Sequence, residues 1–213
     1  MTIHAYQEIY LNRAQSGLGD AFDYAINTCH IPGEEFIKLF TVSSISKRIE
    51  NGEAAVLAGM SGIEIAIEVI RQTTKQSDFP EPSVCYNRST EYWIGWAIAY
   101  YQWYSGRKFH EIFKVISFEE LSKVYYTLHE ADISKFVDLM DHRIREFFPE
   151  TNLKRLRTLC GYTQAQLAEL SQVSLRSIQM YEQRKKNINK ASAETLYLLS
   201  KALSCKMEDL IEK

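Results

Sequence analysis

The sequence predicts an all-α protein of two domains, and three observations support this prediction. Hydrophobic residues recur at the three- and four-residue spacings of helices, and no segment shows the clear alternation of a β-strand. Acidic and aromatic residues concentrate in the first 150 positions, whereas basic residues concentrate in the rest. A chain of 213 residues that is 46% hydrophobic and 24% charged is large enough for two cores. We therefore predict a helical N-terminal domain over 1–150 and a second domain over 151–213.

The two predicted domains differ in charge. Residues 1–150 have 14 Lys and Arg against 21 Asp and Glu, a net charge of −7, whereas residues 151–213 have 11 against 6, a net charge of +5. Of the 26 aromatic residues, 23 precede position 150. The boundary is predicted at FFPET, 147–151, because Pro149 disfavours helix before it and Thr151 or Asn152 can cap the next helix. Opposite charges predict that the two domains have different partners.

The N-terminal domain is predicted to be almost entirely helical. Helices are predicted over 20–29, 33–52, 61–73, 90–106, 109–117, 118–130 and 133–148. GLGD, 17–20, and GMSG, 59–62, are predicted as turns, with Asp20 and Ser61 as helix caps.

The segment YWIGWAIAYYQWY is predicted to run through the middle of the N-terminal domain. Its spacing puts Trp93, Trp96, Tyr100 and Trp103 on one face, and the rest of its circumference is also apolar. A core helix is the expected interpretation. An aromatic ligand pocket or a partner groove is the alternative.

The C-terminal domain begins with two short predicted helices. The first, LKRLRTLCGY, ends at Gly161, which is suited to a left-handed C-cap. The apolar side of this helix is predicted to comprise Leu153, Leu156, Leu159 and Cys160. The second begins at a capping box formed by Thr163 and Gln166. Its inward side is predicted to comprise Leu167, Ala168 and Leu170.

Three further helical segments follow in the C-terminal domain. After a tight break at 171–173, Ser174 caps LRSIQMYEQ, in which Ile178 and Tyr181 share one side. Ser192 caps a fourth helix with a core stripe of Leu196, Leu199 and Leu203, and MEDLI forms the last turn. The result is five short helices in about 60 residues.

Residues 152–211 resemble the helix-turn-helix domain of the phage repressor and Cro family, also called the xenobiotic-response-element type. TQAQLAELSQVSLRSIQMYEQ matches the family's second and third helices, and ASAETLYLLSKALSCKMEDLI matches its closing helices. Two positions depart from the family pattern, because Gln172 and Arg184 stand where glycine is common. Gln172 can adopt the turn at modest strain, so the predicted fold is retained.

The resemblance implies that the third helix of the domain lies in the DNA major groove and contacts base edges. It further implies that Gln164 fixes the protein on a phosphate and that an Arg157–Glu182 pair is structural. The basic residues after the helix are expected to bind phosphates. The predicted DNA-binding residues are Gln164, Ser174, Leu175, Arg176, Ser177, Gln179, Met180, Arg184, Lys185 and Lys186. Relatives bind pseudo-palindromic operators as dimers, so a homodimer on double-stranded DNA is expected.

The sequence contains no motif for an enzyme, a metal site or a cofactor. His129, Asp132, Asp141 and His142 lie close in sequence but lack the HExxH spacing. The short glycine segments at 17–20 and 59–62 do not match a phosphate-binding loop or a nucleophile elbow. No catalytic, metal-binding or cofactor-binding residue is therefore predicted.

Cysteine spacing and hydropathy favour a cytoplasmic location. Cys29, Cys85, Cys160 and Cys205 lie 44 or more residues apart, which predicts reduced, individually buried thiols. The N-terminal segment has no signal-peptide pattern, and WIGWAIAYY is too short to cross a bilayer, so no membrane partner is expected.

These patterns leave three functional hypotheses. The first is a sequence-specific transcriptional regulator, a repressor, whose N-terminal domain assembles the protein or senses a signal. The second is an antitoxin that binds a toxin through its acidic N-terminal domain and represses its own operon. The third is an unidentified enzyme in the N-terminal domain, tethered to DNA.

Overall fold

Helices account for all the regular structure in the part of the chain described by the computed structural model, residues 4–82, 88–148, 150–183 and 186–212. The predicted all-α class is therefore confirmed. The chain divides into two units, residues 1–144 and 145–213, and the division falls near the end of a helix that spans Ile133–Phe147. None of the helices in the described ranges is long and apolar enough to cross a membrane.

The first unit contains nine helices among its described residues. In chain order they are α1 Leu11–Asp23, α2 Gly33–Val42, α3 Ser44–Glu50, α4 Ala54–Leu57, α5 Gly62–Thr73, α6 Thr90–Ser105, α7 Phe109–Val115, α8 Phe118–Leu128 and α9 Ile133–Phe147. A 3-10 turn, Glu8–Tyr10, precedes α1, and a π-helical turn, Tyr24–Thr28, continues it.

Two predictions about these helices are wrong. GLGD is not a turn and Asp20 is not a helix cap, because the segment lies inside α1, which begins at Leu11; there Gly17 and Gly19 are buried against neighbouring helices. The segment 33–52 is not one helix. Ser43 has extended backbone with ψ of 159° and accepts a hydrogen bond from the backbone N–H of Ser46, so it ends α2 and caps α3. At GMSG, Ser61 does cap α5, as predicted, and forms a full capping box with Glu64.

Helix α6 lies at the centre of the first unit, as predicted, and packs along α1 and against α8. The two helices α1 and α6 approach closely because Gly95 of α6 lies against the backbone of α1, and Gly19 of α1 lies against the Tyr92 ring of α6. A Cβ atom added to Gly95 would lie 2.3 Å from the carbonyl oxygen of Leu18. Phenylalanine rings fill the adjacent core, and Phe22 meets Phe36 edge to face with ring centroids 5.1 Å apart.

The second unit contains α10 Asn152–Leu159, α11 Gln164–Ser171, α12 Leu175–Glu182 and α13 Ala193–Ala202. Two 3-10 turns, Ile188–Lys190 and Met207–Leu210, complete its regular elements in the described ranges, and the latter is the predicted last turn. Thr151 caps α10 by accepting a hydrogen bond from the N–H of Lys154, and Gly161 has the left-handed φ of 74° that was predicted.

The core of the second unit confirms part of the predicted apolar pattern. Leu153, Leu167, Ile178, Leu199 and Leu203 are buried in one cluster. Leu156, Ala168 and Leu196 pack against this cluster and are partly buried.

Three residues predicted to face this core do not. Leu159, at the end of α10, and Cys160, its C-cap residue, are exposed. In α11 the buried side is formed by Leu167 and Ser171, four positions apart, which leaves Leu170 exposed. The prediction of buried thiols is accordingly wrong for Cys160, while Cys29 and Cys205 are half-buried and unpaired. Cys85 lies outside the described residues.

Candidate nucleic-acid interface

The connection between α11 and α12 is a tight left-handed turn. Gln172 adopts φ of 55° and ψ of 19°, so it takes the turn conformation expected at this position. On either side, the Ser171 hydroxyl donates to the carbonyl of Leu167 and accepts from the N–H of Val173, whose side chain is buried. The buried neighbours therefore hold the turn in a conformation that costs a non-glycine residue about 1–2 kcal/mol.

Both helices of this pair begin at side-chain caps, as predicted. Thr163 and Gln166 form the reciprocal capping box of α11, with N···O distances of 2.9 and 3.2 Å. The Ser174 hydroxyl accepts from the N–H of Ser177 at 3.2 Å and caps α12. The remaining first-turn amides give each helix start a partial positive charge that favours an anion.

Helix α12 has one buried side and one open side. Ile178 and Tyr181 are buried in the core of the second unit. Ser174, Leu175 and Arg176 are exposed at the start of the helix. The Arg176 guanidinium makes no hydrogen bond or ion pair with any described residue. Helix α12 is thus packed on the core through one side, and the opposite side of its first turn is exposed to solvent.

Glu182 ties α10, α11 and α12 together at the end of this helix. Its carboxylate accepts hydrogen bonds from Arg157 Nε at 2.6 Å and Nη2 at 3.0 Å. The Gln164 side-chain amide donates to the same carboxylate at 2.7 Å. Hydrogen bonding to Glu182 raises the pKa of Arg157. The predicted structural pair of Arg157 and Glu182 is confirmed by this geometry.

The participation of Gln164 in this network was missed by the sequence analysis. Gln164 was assigned only to phosphate binding, yet its amide nitrogen is held by Glu182. The side chain is half-buried at the first position of α11. The only sequence signal for this contact was the joint match of Gln164, Arg157 and Glu182 to family positions.

The remaining predicted residues differ in their placement. Ser177, Gln179 and Met180 are half-buried on α12. Lys186 is exposed, and its ammonium lies 5.1 Å from the centroid of the Tyr181 ring. Arg184 and Lys185 lie outside the described residues.

The acidic and histidine residues of 129–142 are engaged in local structure. His129 Nδ1 lies 2.8 Å from the carbonyl oxygen of Tyr125. Asp132 accepts from the N–H of Ser134, and this bonding lowers its pKa. Asp141 accepts from the Tyr101 hydroxyl at 2.8 Å. Within the described ranges, no three His, Cys, Asp or Glu side chains are grouped so as to hold a metal ion.

Comparison with known families identifies the second unit. Residues 153–210 match the family model described as helix-turn-helix. These residues form a Cro/C1-type helix-turn-helix domain. This domain type binds DNA, acts in transcription regulation and is not typically enzymatic. No curated protein and no solved structure matches the chain.

Proposed function

We propose that the protein is a sequence-specific, double-stranded-DNA-binding transcriptional regulator that places the start of α12 in the major groove. The observation that supports this most strongly is the two-sided character of α12. Its Ile178 and Tyr181 side is fixed in the core, while Ser174, Leu175 and Arg176 are exposed where the family contacts bases. The Glu182 network fixes the other end of the helix.

Four side chains of α12, two exposed and two half-buried, have a matching base contact. Arg176 can donate two hydrogen bonds to a guanine, and Gln179 can pair with an adenine. Leu175 and Met180 can contact thymine methyl groups, whereas Ser174 and Ser177 are small enough to let the helix start approach the bases. Each good bidentate contact contributes roughly 1–3 kcal/mol of discrimination.

Phosphate contacts would position the domain without selecting sequence. The start of α11 offers Gln164 and its first-turn amides to a phosphate, and Glu182 holds the Gln164 side chain there. Arg184, Lys185 and Lys186 follow α12 and supply positive charge. Lys186 is exposed, so it is available to the DNA backbone.

Alanine variants measured on two kinds of DNA test this proposal. An operator is first selected from random duplexes with the full chain, and affinities are then measured on it and on unrelated duplex. Arg176→Ala and Gln179→Ala should each weaken operator binding by roughly 1–3 kcal/mol and relax preference at one base pair. Lys186→Ala should weaken both DNAs alike and reduce the salt slope by about 1.

Lys201→Ala is the matched control, because Lys201 is an exposed lysine on α13, outside the α11–α12 pair. It should leave both affinities close to those of the wild type. Equal losses on operator and unrelated DNA for Arg176→Ala would reject base contact by Arg176.

We further propose that the protein is a homodimeric repressor, with the N-terminal region as the dimerisation element. One helix of this type contacts only a few base pairs, so a second copy is needed to select a single site.

The alternative of an antitoxin is favoured by the net charge of −7 over 1–150, which suits a basic protein partner. A neighbouring gene whose product is toxic alone and is neutralised by this chain would support the antitoxin. A non-toxic neighbour would favour the plain repressor.

A further inference from the structure

We propose that the first unit contains a binding site for a planar aromatic anion, in a cavity lined in part by Trp93 and Trp96 of α6. The cavity has a volume of about 380 Å³ and lies between α6, the end of α8 and the start of α9. This volume is within the range of small-molecule pockets and accommodates a compound of two fused rings. The proposal does not depend on the DNA-binding function.

Half of the residues that line the cavity are aromatic. Trp93 and Trp96 line it from α6, and Tyr125 and His129 line it from the end of α8. Trp93 and Tyr125 meet edge to face at 5.7 Å, and the His129 ring stacks on Tyr125 at 4.5 Å. Ring faces and edges placed in this way favour a planar aromatic guest over a branched aliphatic one.

Two hydrogen-bond donors in the lining have no partner among the described residues. Among the described residues, nothing accepts from the indole N–H groups of Trp93 and Trp96, whereas the Trp103 indole donates to the carbonyl of Tyr6 at 2.9 Å. Ser89 is engaged, because its hydroxyl donates to Asp23 and caps α6. Unpaired donors of this kind favour a ligand with acceptor oxygens.

Charge in the lining favours an anion. Arg88 lies in the wall and no Asp or Glu lines the cavity. The Arg88 guanidinium carbon lies 4.5 Å from the centroid of the Tyr92 ring. Arg88 attracts Asp20 electrostatically, but it forms no salt bridge with a described residue. Stacking on a ring leaves the in-plane N–H groups free, which is the geometry that binds a carboxylate.

Calorimetric titration of the full chain with three probes of similar shape tests the site. The probes are 1-naphthoate, the neutral 1-naphthalenemethanol and the cationic 1-naphthylmethylammonium. We expect 1-naphthoate to saturate one site per chain and the alcohol to bind about tenfold more weakly, because it lacks the charge-assisted contact with Arg88. The cation should bind most weakly.

Two variants and two matched controls assign the binding to this cavity. Arg88→Gln should remove the preference for 1-naphthoate over the alcohol, and Trp96→Leu should weaken both. Arg71→Gln changes another arginine stacked on a ring, with its guanidinium 5.3 Å from the Phe79 centroid, outside the cavity. Tyr126→Leu changes an exposed tyrosine next to Tyr125 that does not line the cavity. Both controls should bind 1-naphthoate as the wild type does.

Several results would overturn the proposal. Absence of saturable binding up to about 1 mM would show that the cavity is not a site for this class of ligand. Equal affinities of the wild type for the anion and the alcohol would exclude a role for Arg88. Losses as large in Arg71→Gln or Tyr126→Leu as in the cavity variants would place the binding elsewhere on the surface.

Discussion

At the residue scale, Glu182 is the side chain on which the geometry of the proposed interface depends most. Its side chain is only 2% exposed and that of Arg157 is 12% exposed, so both charges are largely withdrawn from water. Such a pair contributes little to the free energy of unfolding when it is compared with an apolar pair of similar size. Removal of one partner, however, is costly because it leaves the other charge buried and unpaired. We therefore expect the network to be sensitive to single changes and tolerant of a joint one.

Arg157→Met should destabilise the second unit by about 3 kcal/mol, because the Glu182 carboxylate would keep only the Gln164 hydrogen bond. The double variant Arg157→Met, Glu182→Leu should recover most of that loss. Hydrogen exchange of peptides from residues 151–212 in the full chain measures the change, since all three tryptophans lie in the first unit.

Arg48→Met is the control for this prediction. The Arg48–Glu53 pair has a similar N···O distance of 2.7 Å, but its side chains are 36% and 44% exposed. Its loss should cost less than about 1 kcal/mol. A double variant at Arg157 and Glu182 as unstable as Arg157→Met alone would show that the cost is due to lost packing and not to an unpaired charge.

The sequence predicted contacts between residues that are close along the chain better than contacts between residues that are far apart. Caps such as Thr163, Ser174 and Ser192 were predictable because donor and acceptor lie within three positions. The Gln164–Glu182 contact was not, because it depends on the orientation of α11 relative to α12. The unpaired guanidinium of Arg88 likewise follows from tertiary placement and has no sequence pattern of its own.

At the element scale, the close approach of α1 and α6 decides how the first unit packs. Glycines on both helices permit it, and Gly95 lies directly on the backbone of α1. In a helix interior, glycine normally costs about 0.5–1 kcal/mol relative to alanine. At position 95 the sign should reverse, because the added methyl has no space.

Gly95→Ala should destabilise the first unit by about 2–3 kcal/mol, since the new Cβ would lie 2.3 Å from the Leu18 carbonyl oxygen and force the helices apart. Gly17→Ala is the matched control within α1, where the new Cβ would lie 3.4 Å from the flexible end of Ile65. It should be neutral or slightly stabilising. Urea unfolding followed by tryptophan fluorescence measures both, and a stabilised Gly95→Ala variant would contradict the packing described for α1 and α6.

The glycines also explain which elements the sequence predicted poorly. GLGD has the local composition of a turn, and nothing within the segment indicates that its glycines serve packing against α5 and α6. Helix α6 was predicted correctly because it is long and apolar on all sides, and α13 because its leucines recur at helical spacing after the Ser192 cap. Single positions near the ends of short helices were predicted poorly, because a helix of two turns has too few repeats to fix which side is buried: in α11 Ser171 is buried, whereas Leu170 is exposed.

At the scale of the whole molecule, the difference in charge between residues 1–150 and residues 151–213 suggests that the two parts bind different partners. The net charge of +5 over 151–213 suits a DNA phosphate surface, and the net charge of −7 over 1–150 disfavours one. Exposed apolar side chains occur in both parts: Ile9, Val42, Tyr126 and Phe147 in residues 1–150, and Leu159, Leu170, Leu175, Tyr197 and Met207 in residues 151–213. Charge is therefore the feature that favours residues 1–150 for pairing, because an acidic part that DNA repels remains free to contact a second copy while the basic part binds DNA.

We accordingly predict that the full chain is a homodimer with most of its contact area in residues 1–150. A fragment of residues 151–213 should fold, remain monomeric and bind the operator at least tenfold more weakly, because it loses the simultaneous contact with two half-sites. Sedimentation velocity of both chains and operator titrations measure this. Fusion of the fragment to an unrelated parallel dimeric coiled coil by a flexible linker provides the control. Restored affinity would show that residues 1–150 act by pairing two DNA-binding domains. A monomeric full chain, or a fragment that dimerises as tightly as the full chain, would show that residues 1–150 do not form the dimer interface.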